Sequence, residues 1–146
     1  MPEAALPGTK VQSAEGSRGV SEGAILKTVL VVDDEEAVVE FIGSLLEDAG
    51  YRVLQAYDGR SAFEIARAEH PDVIVTDIMM PVMNGLELYQ QLRADPETDR
   101  IPVVFMTAGR LPEVEGADVT TLAKPFDLAA LEEAVARAMG GNAAGD

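Results

Sequence analysis

Residues 72–85 run DVIVTDIMMPVMNG. The first five, Asp72–Thr76, predict a strand, and Val73–Thr76 within them are all β-branched, the pattern of a strand covered on both faces in a parallel sheet. A charged residue, Asp77, stops the run, and Asn84-Gly85 then punctuates the chain ahead of Leu86, Tyr89 and Leu92, which fall at helical spacing. One strand, a polar residue at its carboxyl end, a loop and a helix make up half of a βαβ unit.

The same alternation extends in both directions. Thr28–Val32 (TVLVV) predicts a first buried strand, followed by a helix with Val38, Ile42, Leu45, Leu46 and Ala49 on one side and Gly50 as its stop. Tyr51–Tyr57 predicts a second strand, ended by the turn signal Asp58-Gly59. Ala62, Phe63, Ile65 and Ala66 predict a helix that stops before Pro71, with His70 as its C-terminal cap. Downstream, Ile101–Met106 (IPVVFM) and Val119–Ala123 predict a fourth and a weaker fifth strand. Leu128, Leu131, Val135 and Ala138 mark a last helix, with Asp127 as its N-cap. Strand–helix alternation of this kind implies an α/β fold, a doubly wound parallel sheet with helices on both faces.

The chain has 146 residues, enough for one domain. Residues 1–27 hold four glycines, two prolines and no persistent period, and are expected to be a disordered leader; residues 140–146 are expected to be a flexible tail. The domain between them is placed at 28–139. No cysteine is present, which excludes disulfides and thiolate chemistry. No apolar run approaches the ~20 residues of a membrane span, and no signal peptide is legible, so a cytoplasmic location without membrane insertion is expected. The net charge is −15, and the first 27 residues are neutral in sum, with Glu3, Glu15 and Glu22 against Lys10, Arg18 and Lys27. A domain this acidic repels nucleic-acid phosphates, so direct nucleic-acid binding is not expected.

In open parallel sheets, ligands sit at the carboxyl ends of the strands. There the sequence puts Asp33 and Asp34, Asp77, Thr107 and Lys124. Taken singly, each has an ordinary reading: a helix cap for Asp33-Asp34, a turn residue for Asp77, a strand exit for Lys124 before Pro125. Taken together, in order and each at a strand end, they form one pocket. Three carboxylates there repel one another and call for a counter-charge. A hard divalent cation such as Mg²⁺ supplies it, Lys124 suits a phosphate, and a carboxylate can act as a nucleophile toward phosphorus. These are the parts that phosphoryl transfer requires.

The segments VLVVDDEEAV (29–38), VIVTDIMMPVMNG (73–85), VVFMTA (103–108) and LAKPF (122–126) resemble the receiver domain of two-component response regulators. The resemblance implies a flavodoxin-like five-stranded sheet in the order 2-1-3-4-5. It implies Asp77 as phosphoacceptor, and Mg²⁺ held by Asp33, Asp34, Asp77 and the backbone carbonyl of Met79. Thr107 and Lys124 would contact the phosphoryl group, and Pro81 and Gly85 would shape the loop. The implied donor is a sensor histidine kinase or a histidine phosphotransfer protein. With no output domain read after residue 139, the expected output is contact with a downstream protein of unknown identity. The chain is thus expected to be a signalling phosphoacceptor rather than an enzyme, apart from self-catalysed phosphoryl transfer and loss. The alternatives are a pseudoreceiver that is never phosphorylated and an aspartyl-nucleophile phosphohydrolase. The latter normally carries a DxD motif and a cap, and this chain has DD and no room for a cap.

Two features depart from the family pattern. Few residues lie between Thr107 and Lys124, and Gly109, Pro112 and Gly116 are among them, so the helix between the fourth and fifth strands is expected to be missing or reduced to a turn. Three positions before the lysine, where the family usually has an aromatic residue, stands Thr121. The three methionines Met79, Met80 and Met83 are read as loop packing.

Overall fold

Five runs of apolar residues become five parallel strands because each can be covered from both sides. The computed structural model describes residues 26–108 and 119–140. In chain order the elements are β1 (Thr28–Val32), α1 (Glu36–Asp48), β2 (Arg52–Ala56), α2 (Gly59–Glu69), β3 (Val73–Asp77), α3 (Gly85–Ala94), β4 (Val103–Thr107), β5 (Val119–Ala123) and α4 (Leu128–Ala138). The strands form one sheet in the order β2-β1-β3-β4-β5, every neighbouring pair parallel.

Side chains alternate across a strand, so each strand feeds two cores. Leu30, Val32, Leu54, Ile74, Val103 and Phe105 pack under α2 and α3, which contribute Ala62, Ile65, Leu88 and Leu92. Val29, Val31, Val53, Val75, Val104 and Met106 pack on the other face under α1 and α4, which contribute Val39, Ile42, Leu46, Leu131 and Val135. The fold expectation is met in its class, strand order and placement of helices on both faces. Among the described residues, no helix is long and apolar enough to cross a membrane.

The helix termini refine the reading from sequence. Asp58 is not the end of a strand but the N-cap of α2: its carboxylate accepts from the Ser61 N–H at 2.7 Å and the Ser61 hydroxyl at 3.2 Å. Asp-Gly served as a turn signal only because the chain must turn before it caps. His70 closes α2 as expected, with φ 53° and its N–H on the Ala66 carbonyl at 2.9 Å. Asp127 caps α4 by accepting from the Ala130 N–H at 2.9 Å. The segment expected to lack a full helix and most of the expected leader and tail lie outside the described residues.

Candidate functional site

β1 and β3 are neighbours at the centre of the sheet and end level with each other, which sets Asp33 beside Asp77. Asp33, Asp34 and Asp77 each offer a carboxylate oxygen within 4.8 Å of the others. Asp33 and Asp77 are buried and Asp34 is exposed. β5 lies two strands away from β3, but Lys124 reaches back from its end. The Lys124 N–H donates to the Thr107 carbonyl at 2.8 Å, which ties the β5 exit to the end of β4. Its Nζ then donates to Asp77 Oδ1 at 3.2 Å and lies 3.9 Å from Asp33 Oδ2. Thr107 is the buried last residue of β4, next to Met106, the register partner of Asp77.

The electrostatics are strained by burial. Asp33 is only 2% exposed. Its Oδ1 accepts from the Glu35 N–H at 2.9 Å, while its buried Oδ2 has no hydrogen-bond partner. Burial, which withholds solvation from the charged form, pushes the Asp33 carboxyl up to about 6. The Glu35 N–H pulls it down, the nearby Asp77 charge raises it, and Lys124 only partly offsets that rise. The cap reading of Asp33 is not met: its Oδ1 bond to the Glu35 N–H, two residues on, turns the chain ahead of α1, and the N-cap of α1 is Glu35, which makes no side-chain cap bond. A buried carboxylate oxygen without a hydrogen bond, 3.9 Å from Lys124 Nζ and beside two other carboxylates, suits a hard cation with oxygen ligands.

The loop after Asp77 is held close to it. The Gly85 N–H donates to the Ile78 carbonyl at 2.9 Å, and a Cβ at position 85 would lie 2.5 Å from the Asp77 carbonyl oxygen, so only glycine lets α3 start there. Asn84 and Glu87 form a reciprocal capping box at 2.8 and 2.9 Å. Asn-x-x-Glu over 84–87 is legible in the sequence as that signal, whereas Asn84-Gly85 by itself reads only as a turn. Val82 has φ 69°, and the Met83 N–H donates across it to the Pro81 carbonyl at 2.7 Å, a γ-turn of the uncommon positive-φ kind. Packing accounts for Met80, which is buried, and for Met83, which packs against the core. Met79 departs from that expectation, as a residue that is 77% exposed.

All five expected strand-end side chains therefore lie at one end of the sheet. One contact was not expected from the sequence: the Tyr89 ring of α3 meets Phe105 of β4 edge-on, with centroids 5.8 Å apart. Tyr89 stood in the sequence only as a core position of its helix, and no local pattern names a partner on the strand that follows.

An acidic corner and a lysine thus meet at the carboxyl ends of a doubly wound sheet. The profile of the response regulator receiver domain matches residues 29–136. The probable transcriptional regulatory protein TcrX of Mycobacterium tuberculosis is 39% identical over 115 residues, covering 75% of this chain and 47% of that protein. The chain thus spans about half the length of that relative. Among solved structures, chemotaxis protein CheY4 of Vibrio cholerae superposes with a TM-score of 0.72 at 32% identity, covering 78% of this chain and 99% of that one. The receiver domain of sensor histidine kinase PA1611 from Pseudomonas aeruginosa, solved with a magnesium ion coordinated in its active-site cleft, gives 0.71 at 28% identity, covering 80% and 100%. The chain belongs to the response-regulator receiver domain family of two-component signalling.

Proposed function

We propose that the domain accepts a phosphoryl group onto Asp77 from a phosphohistidine of a sensor kinase or phosphotransfer protein, and that it signals through contact with a downstream protein. The observation that carries this reading is the Asp77 carboxylate, held 3.2 Å from Lys124 Nζ inside a cluster of three carboxylates. Asp33, Asp34, Asp77 and the Met79 carbonyl would hold Mg²⁺, which when bound neutralises charge on the phosphoryl oxygens.

The remaining chemistry belongs to the chain. An Asp77 carboxylate oxygen attacks phosphorus, the P–N bond breaks, and the imidazole leaves with the electron pair. Lys124 is placed to meet the added negative charge, and the Thr107 hydroxyl is a donor at the neighbouring strand end. Loss of the phosphoryl group to water returns Asp77 to a carboxylate.

Incubation with acetyl phosphate and Mg²⁺, followed by intact mass, tests the reading. The expected result is a gain of one phosphoryl group that is absent in Asp77→Asn and without Mg²⁺. An unchanged mass in the unsubstituted protein would instead assign it to pseudoreceivers.

A further inference from the structure

In the sheet register, Phe105 of β4 stands beside Thr121 of β5. The aromatic partner of Phe105 comes from α3 instead. Phe105 is fully buried, and the Tyr89 ring packs edge-on to it, with centroids 5.8 Å apart and an interplanar angle of 66°. One helical turn later, the Arg93 guanidinium carbon lies 4.6 Å from the centroid of the Tyr89 ring. Arg93 Nη2 donates to the Ile101 carbonyl at 2.7 Å, and Nη1 reaches the Thr98 carbonyl at 3.5 Å. Arg93 thereby ties α3 to the turn that leads into β4. Thr98 is buried there, and its hydroxyl donates to the Leu92 carbonyl at 2.7 Å.

By strand alternation, Phe105 lies on the same face of β4 as Thr107, two residues nearer the start of the strand. Contacts therefore run from Phe105 through Tyr89 to Arg93 and the carbonyls at 98 and 101, and Phe105 is the next residue on its face of β4 to Thr107 at the strand end. Thr107, Tyr89 and Arg93 each have further partners as well.

We infer that Tyr89 and Arg93 form the element that reports the state of Asp77, so that phosphorylation is read on α3 and the 95–101 turn. The inference rests on the phosphoacceptor reading above. Converting the Asp77 carboxylate to an acyl phosphate raises its negative charge by about one and brings strong phosphoryl acceptor oxygens to the strand ends where Thr107 lies. In a close-packed strand, a shift of Thr107 toward them repositions Phe105, the next side chain on that face. The edge-on geometry couples that movement to the Tyr89 ring, and the ring face carries the Arg93 guanidinium that holds the turn. Thr121, small and half-buried, offers no ring for this role on β5.

The test is ¹⁵N NMR of the Arg93 side chain and the Thr98 and Ile101 amides, before and after acetyl phosphate with Mg²⁺, with intact mass taken on the same samples. The expected result is a shift of these resonances in the unsubstituted protein and in Tyr89→Phe, which keeps the ring, and its loss in Tyr89→Leu while the mass gain remains. A mass gain with unchanged Arg93, Thr98 and Ile101 resonances overturns the inference alone, as does an undiminished response in Tyr89→Leu. No mass gain overturns the phosphoacceptor reading and this inference with it.

Discussion

Asp33 combines burial, an unpartnered oxygen and two carboxylate neighbours, and this sets a specific pH dependence. Its carboxyl titrates near 6 in the folded chain against an ordinary 3.8. Between those values the folded state holds a proton that the unfolded state has lost, so this group's contribution to stability falls as pH rises from about 4 to about 6. Above that window, the charged carboxylate costs on the order of 3 kcal/mol in the cation-free protein. Asn keeps an oxygen for the Glu35 N–H and removes the charge. Asp33→Asn is therefore expected to stabilise the cation-free protein at pH 7 by about 1–3 kcal/mol and to have little effect near pH 4. Urea melts in EDTA at the two pH values check this; equal stability of the two proteins at pH 7 would contradict the assigned burial cost. No local pattern in the sequence carried this cost. Asp33-Asp34 read as metal ligands or as a cap, and only the packed structure leaves one Asp33 oxygen bonded to the Glu35 N–H and the other buried without a hydrogen bond.

At the scale of elements, the start of α3 carries two devices that substitutions can separate. The Asn84–Glu87 capping box satisfies helix N–H groups at the protein surface. Asn84→Ala is expected to cost about 1 kcal/mol of stability, read from a chemical melt. It is also expected to leave phosphorylation of Asp77 by acetyl phosphate at its original rate. Gly85 is different, because a Cβ there would sit 2.5 Å from the Asp77 carbonyl oxygen. Gly85→Ala must displace either α3 or the backbone of Asp77, so it is expected to destabilise by more than Asn84→Ala and also to slow phosphorylation. A Gly85→Ala protein that phosphorylates normally would show that the backbone there yields without moving the acceptor. The central strands were legible because each is a largely apolar run ended by a polar residue, as in TVLVV and VIVT, whereas β2 (RVLQA) and β5 (VTTLA) carry polar residues within the run. Helix starts were less so. Asp58-Gly59 carries one chemistry, a short acceptor followed by a flexible residue, that serves equally well for a turn and for a cap. Tyr89 and Phe105 were each visible as apolar positions, but their pairing depends on the placement of α3 over β4.

Across the whole molecule, 26 acidic side chains face 11 basic ones. That imbalance acts on stability through two routes that differ in range. Diffuse repulsion among exposed carboxylates is relieved by any salt, because screening shortens its reach to about 10 Å at 0.1 M. Repulsion at the carboxyl ends of β1 and β3 is confined within 4.8 Å and partly buried, so monovalent salt screens it poorly. The strand ends where the acids converge were legible from the order of elements. The division between surface and site repulsion was not, because it depends on which oxygens end up out of water. The two routes separate in a thermal melt. NaCl is expected to raise the melting temperature gradually in every variant. MgCl₂ at matched ionic strength is expected to add a saturable increment that follows RT ln(1 + [L]/Kd). That increment should be present in the unsubstituted protein, reduced in Asp34→Asn and absent in the double variant Asp33→Asn/Asp77→Asn, while the NaCl response persists in all three. An Mg²⁺ increment of equal size in the double variant would place the cation's effect on the acidic surface at large and remove it from the Asp77 pocket.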